Sequence, residues 1–241
     1  MYYYILESPA SRAVRQSYQR LRDILTSFGI AGEMVTSSPA RTPEELATMG
    51  LEKGYSTIVA VGGDHFANQI ARSVIGQAVL GVVPINASRL VTDLIGVNSL
   101  RGAAEALKQR RLSEVSTVVA EPDTVIFLEA VIQPARLAKV NLIIDNKLRA
   151  YAYFNKLTVD RALNLTLESS HIVEQRRILG LFPVGGNVVK SESHFHGRSV
   201  RLSTDPELNL TVAGTAIART PLQLKLIPSS LKVITRRGTL V

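Results

Sequence analysis

The sequence predicts an α/β protein with two domains, a doubly wound parallel-sheet domain followed by a mostly antiparallel β domain. In the first half strand and helix patterns alternate, and runs such as Thr57–Val61 are apolar throughout, as in strands covered on both faces. After Arg111 the segments become short, β-branched and alternating in polarity. We expect domains at residues 1–120 and 121–241, and the last residues, from about 228, can return to the first domain.

The first elements follow from local patterns. Tyr2–Leu6 is an aromatic and aliphatic run suited to a strand. Apolar residues recur every three or four positions over Ser11–Phe28, and Gly29 follows, which predicts an amphipathic helix. A second strand is expected at Glu33–Thr36. The segment Thr42–Glu45 then offers an N-cap, a proline at the first helical position and a glutamate three residues after the cap, so a helix begins there.

Two more buried strands are predicted, at Thr57–Val61 and Val79–Val83, with a helix over Ala67–Ile75 between them. A last helix is expected over Leu100–Lys108. The resulting order is that of a doubly wound sheet.

The second half has a different texture. Lys139–Ile144 and Leu163–Leu167 alternate in polarity, which favours antiparallel strands with one solvated face. Asp145-Asn146 can supply the positive φ angles of a tight hairpin turn. We expect the domain boundary near Glu121-Pro122-Asp123, which interrupts the pattern.

The composition is that of a soluble globular protein. The chain has 241 residues, 46% hydrophobic and 20% charged, with no run near the roughly 20 apolar residues of a membrane-spanning helix. Its first residues do not have the pattern of a secretory signal, so we expect a cytoplasmic protein. The absence of cysteine excludes disulfides, thiolate catalysis and cysteine-ligated metal sites.

The charge balance favours anionic partners. Lys and Arg number 28 against 20 Asp and Glu, a net charge of +8, so nucleic acid, acidic lipid and nucleotide are candidates. Dispersed basic residues, no Trp and only 5% aromatic residues count against nucleic acid. A merely solvated basic surface remains the alternative to peripheral contact with an anionic membrane.

The segment Val61–Gln69 joins a buried strand to a helix through paired glycines and an acid. Such a junction brings backbone amides to a helix N-terminus, where phosphate is readily held. A tight strand-to-helix connection would also explain the glycines. The segment resembles Gly-Gly-Asp-Gly-Thr-x-Asn-Glu, the signature of the diacylglycerol kinase and sphingosine kinase superfamily, which NAD kinases share in part. The matching residues are Gly62, Gly63, Asp64 and Asn68, and the replaced ones are His65, Phe66 and Gln69.

Further segments carry the same resemblance. Ser8–Ser11 is similar to the family's Asn-Pro-x-Ser-Gly, and Thr36 fits the threonine after its second strand. Leu80–Leu90 keeps the frame of the family's second loop but loses its Gly-Thr-Gly-Asn-Asp. Pro221–Ile234 resembles the closing segment of bacterial lipid kinases, which favours a lipid kinase relative over an NAD kinase.

The resemblance implies a nucleotide site, ATP and Mg²⁺ as cofactors, and a homodimer. Its candidate nucleotide-binding residues are Thr36, Gly62, Gly63, Asp64, His65, Asn68 and Arg89. Asp64 is equally compatible with a helix-start cap, and Arg89 with a solvent-facing side chain.

The residues that should carry the chemistry are missing. The family takes its base from an Asp-Gly-Glu segment ahead of the closing strand, and here Val212-Ala213-Gly214-Thr215 stands in that place. Ala213 cannot accept a proton, and Thr215 is a poor replacement for a magnesium-linked glutamate. We therefore predict no catalytic residue. His194 and His196 could face the same way on a strand, but an exposed loop or strand edge explains them better than a metal site.

Two functional hypotheses follow. In the first, the protein is a catalytically impaired or noncatalytic relative that binds a nucleotide, another anion or a lipid in the cleft between its domains. In the second, it is an active ATP-dependent lipid kinase that phosphorylates a hydroxyl of diacylglycerol or a similar lipid. The second domain is short for the family around residues 155–180, which favours the first hypothesis.

Overall fold

The computed structural model describes residues 1–178 and 182–236, with the backbone alone for 171–178 and 182–188. The chain forms two compact units. Unit 1 comprises Met1–Val119, Asp123–Leu128 and the described residues from Ile227 onward. Unit 2 comprises Ala120–Pro122 and Glu129–Leu226.

Unit 1 alternates strands and helices, as the sequence predicted. Its elements up to the crossing into unit 2 are β1 (Tyr2–Leu6), α1 (Arg12–Ser27), β2 (Gly32–Thr36), α2 (Pro43–Glu52), β3 (Thr57–Gly62), α3 (Asp64–Val74), β4 (Val79–Pro84), α4 (Arg89–Ile95), α5 (Leu100–Gln109), β5 (Leu112–Ala120) and β6 (Thr124–Ile126).

Helix caps account for most of the boundaries. At the start of α2, Thr42 Oγ1 accepts from Glu45 N at 3.2 Å while Glu45 Oε2 accepts from Thr42 N at 2.8 Å, so the predicted capping box is confirmed. Helix α3 begins at Asp64, so its predicted start at Ala67 was wrong. Helix α4, only 7 residues long, was not predicted at all.

The sheet of unit 1 is parallel, with the strand order β2-β1-β3-β4. The last strand of the chain, β16 (Leu222–Ile234), adds its final residues beside β4, where Lys232 is in register with Val79. Strands β1 and β3 are buried along nearly their whole length because helices cover both faces.

Unit 2 consists of antiparallel strands. They are β7 (Glu129–Ile132), β8 (Ala138–Ile144), β9 (Leu148–Phe154), β10 (Lys156–Asp160), β11 (Asn164–Ile178), β12 (Phe182–His196), β13 (Ser199–Asp205), β14 (Asn209–Val212), β15 (Thr215–Arg219) and the first residues of β16.

These strands form two antiparallel arrangements. One has the order β12-β11-β10-β7-β14-β15, and the other runs from β9 through β8 and β13 to the first part of β16. Asp145 and Asn146 have φ angles of 51° and 55°, so the predicted hairpin turn between β8 and β9 is confirmed. The predicted fold class is confirmed as well. No helix in the described part of the chain is long and apolar enough to cross a membrane.

Candidate functional site

The candidate site lies at one edge of the parallel sheet in unit 1. Four strands end there, at Leu6, Thr36, Gly62 and Pro84. Because β2 and β3 lie on opposite sides of β1, the connections leave β1 and β3 in opposite directions. In doubly wound sheets ligands bind outside the carboxyl ends of the strands at such a switch point. The geometry therefore makes the loops after β1 and β3 the first place to look for a ligand.

The loop after β3 is a two-glycine turn. Strand β3 ends at Gly62, and Gly63 is the N-cap of α3 in an extended conformation, with φ −86° and ψ −175°. The Gly63 carbonyl accepts from Ala67 N at 3.0 Å, which begins the helix. The N–H group of an N-cap residue has no partner within its helix and must find one elsewhere.

That partner is Glu7, the residue directly after β1. Its Oε2 accepts a hydrogen bond from Gly63 N at 2.9 Å. The backbone of Glu7 is held on both sides, because its N–H donates to Val61 O at 2.9 Å and its carbonyl accepts from Tyr18 Oη at 2.6 Å. A carboxylate thus lies on the glycine turn, at the positive end of α3.

Glu7 was not among the residues predicted from the sequence. Two signals could have found it: an acid directly after the first strand, where a switch point is expected, and a phenylalanine at the third position of α3. Phe66 cannot accept the N-cap hydrogen bond that a Glu or Gln at that position would accept. A distant residue therefore has to supply the acceptor.

Tyr18 supports this arrangement from α1. Burial raises the pKa of Tyr18 to about 12, and the neighbouring Glu7 carboxylate adds to the rise. The phenol consequently stays protonated and donates to the Glu7 carbonyl throughout the neutral range.

Asp64 connects two loops. Its Oδ1 accepts from Ser88 N at 2.7 Å, and its Oδ2 accepts from Ser88 Oγ. Ser88 is also the N-cap of α4, and its Oγ accepts from Leu90 N at 3.1 Å. Asp64 therefore connects the β4–α4 loop to the first turn of α3 by hydrogen bonds. The N-cap residue of α3, Gly63, has no side chain that could cap the helix.

Asn68 points into unit 1. Its side chain is 5% exposed, its Nδ2 donates to Val125 O at 2.8 Å and its Oδ1 accepts from Phe127 N at 2.8 Å. Both ends of the amide are thus bonded to the segment that contains β6. This arrangement is that of a structural bridge within the core.

The two residues that replace the family's glycine and threonine are accommodated differently. Phe66 is 2% exposed and belongs to the hydrophobic core. His65 is half-buried, and its Nδ1 is enclosed without a hydrogen-bond partner in the described part of the chain.

Two predicted residues remain accessible. Thr36 is exposed at the end of β2, and Arg89 is exposed in the first turn of α4. Arg89 lines a cavity of about 940 Å³ within unit 1, together with Thr235 and Arg236 from the end of the chain. Among the predicted residues, Gly62 and Gly63 lie beside Glu7, and Asp64 is bonded to Ser88. Asn68 points away from this group.

In unit 2 the predicted position of the base is a hairpin turn. Strand β14 ends at Val212 and β15 begins at Thr215, with φ angles of 48° at Ala213 and 81° at Gly214. Positive φ at both central residues is the geometry of a type I′ turn. None of the four residues from Val212 to Thr215 carries an ionisable side chain.

The two histidines lie on β12. His194 Nδ1 is 3.2 Å from Thr166 Oγ1, and its Nε2 is 3.4 Å from Glu192 Oε1. Over residues 1–178 and 182–236, no group of three or more His, Asp or Glu side chains is placed to hold a metal ion.

The chain is similar to known kinases. Residues 5–120 match the diacylglycerol kinase catalytic domain. A diacylglycerol kinase from Bacillus anthracis has a similar structure, with a TM-score of 0.75 at 13% identity over 98% of this chain and 97% of the other. An NAD kinase from Archaeoglobus fulgidus in complex with ATP gives 0.53 at 12% identity over 98% and 94%. No curated protein matches by sequence.

Proposed function

We propose that the protein is a noncatalytic lipid-kinase relative, because residues 5–120 match the diacylglycerol kinase catalytic domain. It keeps the fold and binds a nucleotide, another anion or a lipid, without transferring a phosphoryl group. The binding residues we propose at the carboxyl edge of the parallel sheet are Thr36, Gly62, Gly63, Asp64, His65 and Arg89. Asn68 is not among them, because both ends of its buried amide are bonded within unit 1.

The turn at Ala213-Gly214 carries this proposal. Phosphoryl transfer to a hydroxyl needs a base within hydrogen-bond reach of the accepting oxygen. A two-residue turn with an alanine methyl group and a glycine offers no such group, and the neighbouring Thr215 hydroxyl does not ionise near neutral pH.

ATP and Mg²⁺ are proposed on the resemblance alone. The residues at the glycine turn fit a nucleotide phosphate poorly, because the Gly63 amide already donates to Glu7. The exposed Thr36 and Arg89 remain accessible to an anion. The Arg89 guanidinium has five N–H groups that can donate hydrogen bonds to it.

A phosphorylation assay with Mg-ATP and diacylglycerol in mixed micelles tests the proposal. We expect no phosphatidic acid above the protein-free background from the wild-type chain. The double variant Ala213→Asp, Thr215→Glu supplies the missing acids in the same turn, where aspartate tolerates positive φ. Robust transfer by the wild-type chain would contradict the proposal and favour the alternative of an active lipid kinase.

One face of the sheet formed by β9, β8, β13 and β16 supports contact with an anionic membrane. Every second residue of each strand points to this outer face. Among these residues are Tyr151 and Tyr153, which are 72% and 55% exposed. Its four cations take part in no ion pair with any described carboxylate, although Arg201 Nη2 donates to Asn146 Oδ1 at 2.6 Å. Two acids, Asp205 and Glu121, lie at this face. The cations are Lys139, Arg149, Arg201 and Lys225.

Exposed tyrosines and cations without an ion pair suit a headgroup region, where each cation contributes about 1 kcal/mol. Vesicles with phosphatidylglycerol should therefore bind the chain at low salt and release it at high salt. We expect Arg149→Ser, Arg201→Ser to reduce binding roughly 30-fold, since two cations are lost. The matched control, Arg12→Ser, Arg15→Ser on α1, removes the same charge and should bind as the wild type. Equal losses of vesicle binding in both double variants would contradict a membrane-binding role for this particular face.

A cytoplasmic, peripheral location and a homodimer stay predictions.

A further inference from the structure

Glu7 lies at the switch point, where its carboxylate accepts the hydrogen bond of the Gly63 amide at the N-terminus of α3. We infer that Glu7 is a built-in competitor that excludes phosphoryl groups from the Gly62-Gly63 turn and thereby sets which ligands this edge accepts. The inference rests on the proposed function in one respect, namely that the edge is a ligand site.

The first support is the direct contact. Glu7 Oε2 accepts from Gly63 N at 2.9 Å. An incoming phosphate oxygen would need this N–H group, which can serve only one strong acceptor at full strength. The carboxylate must therefore move before a phosphate can bind.

The second support is that Glu7 has little freedom to move. Its N–H group and its carbonyl are both hydrogen-bonded, to Val61 O at 2.9 Å and Tyr18 Oη at 2.6 Å. Only the side-chain torsions can carry the carboxylate away. A competitor tethered in this way is present at a high effective concentration beside its amide.

The third support comes from Gly62. An ideal Cβ at this position would lie 2.5 Å from Glu7 Oε2 and 2.9 Å from Glu7 Cβ. The glycine thus leaves room for the Glu7 side chain, and Phe66 Cδ1, at 3.0 Å from the same ideal Cβ, crowds the position as well. Retention of this glycine needs no bound phosphate, although a close approach of phosphate is the usual reason for a glycine in such a turn.

Charge acts in the same direction. Glu7 takes the favourable position at the N-terminus of α3, and the next residue, Asp64, adds a second carboxylate in the first turn. A phosphoryl group would have to displace one negative charge and approach another. The turn with Glu7 in place therefore suits a hydrogen-bond donor better than a phosphoryl group.

Titration of ¹⁵N-labelled protein with inorganic pyrophosphate, followed at the Gly63 amide, tests the inference. In the wild type we expect the Gly63 signal to stay in place up to millimolar pyrophosphate. In Glu7→Ala the amide is released, and pyrophosphate should shift the Gly63 signal and bind about tenfold more tightly or better. Glu7→Gln keeps a neutral acceptor and should give a smaller gain, about threefold, because its hydrogen bond is about half as strong.

The matched control is Glu45→Gln. It removes a carboxylate that also accepts a backbone N–H at a helix start, that of Thr42 at 2.8 Å. We expect this variant to bind pyrophosphate no better than the wild type.

A second titration with Mg-ATP and with adenosine separates phosphate from base binding. The Glu7→Ala gain should appear with Mg-ATP and be absent with adenosine. Equal pyrophosphate affinities in the wild type, Glu7→Ala and Glu7→Gln would overturn the inference. Phosphoryl transfer by the wild-type chain would instead overturn the proposed function, so the two failures are distinguishable.

Discussion

The carboxyl edge of unit 1 and the outer face of unit 2 use their polar side chains in opposite ways. At the edge, the carboxylates of Glu7 and Asp64 and the amide of Asn68 are bonded to other parts of the same unit. On the outer face, Arg149 has no described ion pair and Tyr151 is 72% exposed. The bonded groups of the first region therefore stabilise the fold, whereas Arg149 and Tyr151 on the second are available to a partner. Substitutions in the two regions should separate stability from binding.

Asn68→Ala should have the largest effect of this kind. It leaves the buried Val125 carbonyl and Phe127 N–H without their partner, and each such group costs about 1 to 3 kcal/mol. We expect the free energy of unfolding in urea to fall by about 3 kcal/mol. The control is Gln69→Ala, one position along α3 and partly exposed, which should cost under about 0.5 kcal/mol. A loss no larger than the control's would mean that Asn68 is not a bridge.

Asp64→Ala should have an intermediate effect. The variant loses the bonds to Ser88 N and Ser88 Oγ at a partly exposed site, which should cost about 1 to 2 kcal/mol in urea unfolding. A double-mutant cycle with Ser88→Ala should give a coupling energy of about 1 kcal/mol. Additive losses would show that the two residues stabilise the edge independently of each other.

Tyr18→Phe should have a smaller effect at neutral pH, about 1 kcal/mol, because one hydrogen bond to the Glu7 carbonyl is lost. Its pH dependence is more specific. The pKa of Tyr18 is about 12 in the folded protein against an ordinary value of 10.0, so the unfolded chain loses this proton first as the pH rises. Stability that is complete below pH 10 is therefore lost towards pH 12.

Urea unfolding at pH 9 and pH 11 measures this dependence. Between pH 9 and pH 11 the free energy of unfolding should fall more in the wild type than in Tyr18→Phe. The difference between the two losses gives the contribution of Tyr18 apart from the other tyrosines. Parallel losses in both proteins would mean that Tyr18 titrates normally.

Tyr151→Ser should have the smallest effect on stability. The side chain is 72% exposed on an antiparallel strand, so we expect a change within about 0.5 kcal/mol in urea unfolding. Binding to anionic vesicles should nevertheless weaken. A large loss of stability with unchanged vesicle binding would reverse the assignment of this face.

Much of the fold was predictable because its signals are local. The Thr42–Glu45 capping box and the Asp145-Asn146 turn involve residues close in sequence, and the structure has both. Helix α4 was missed because a 7-residue helix is too short for its apolar period to be recognised. The similarity to a lipid-kinase loop also favoured an irregular segment there.

The candidate site was predicted less completely. The glycines and Asp64 could be named from their motif, but their partners could not. Glu7 and Gly63 are 56 positions apart, and Asp64 and Ser88 are 24 apart, so these pairs exist only once the strand order is set. Sequence patterns identify residue types at loop positions, whereas tertiary structure decides which acceptor reaches which amide.

Strand β16 has a consequence for synthesis of the protein. Its last residues complete the parallel sheet beside β4, although β4 leaves the ribosome some 150 residues earlier. Until β16 has been synthesised, one side of β4 lacks this strand partner. An unpaired strand edge can pair with other chains. A nascent or truncated chain that ends before Ile227 should therefore be the species most prone to aggregate and most dependent on chaperones.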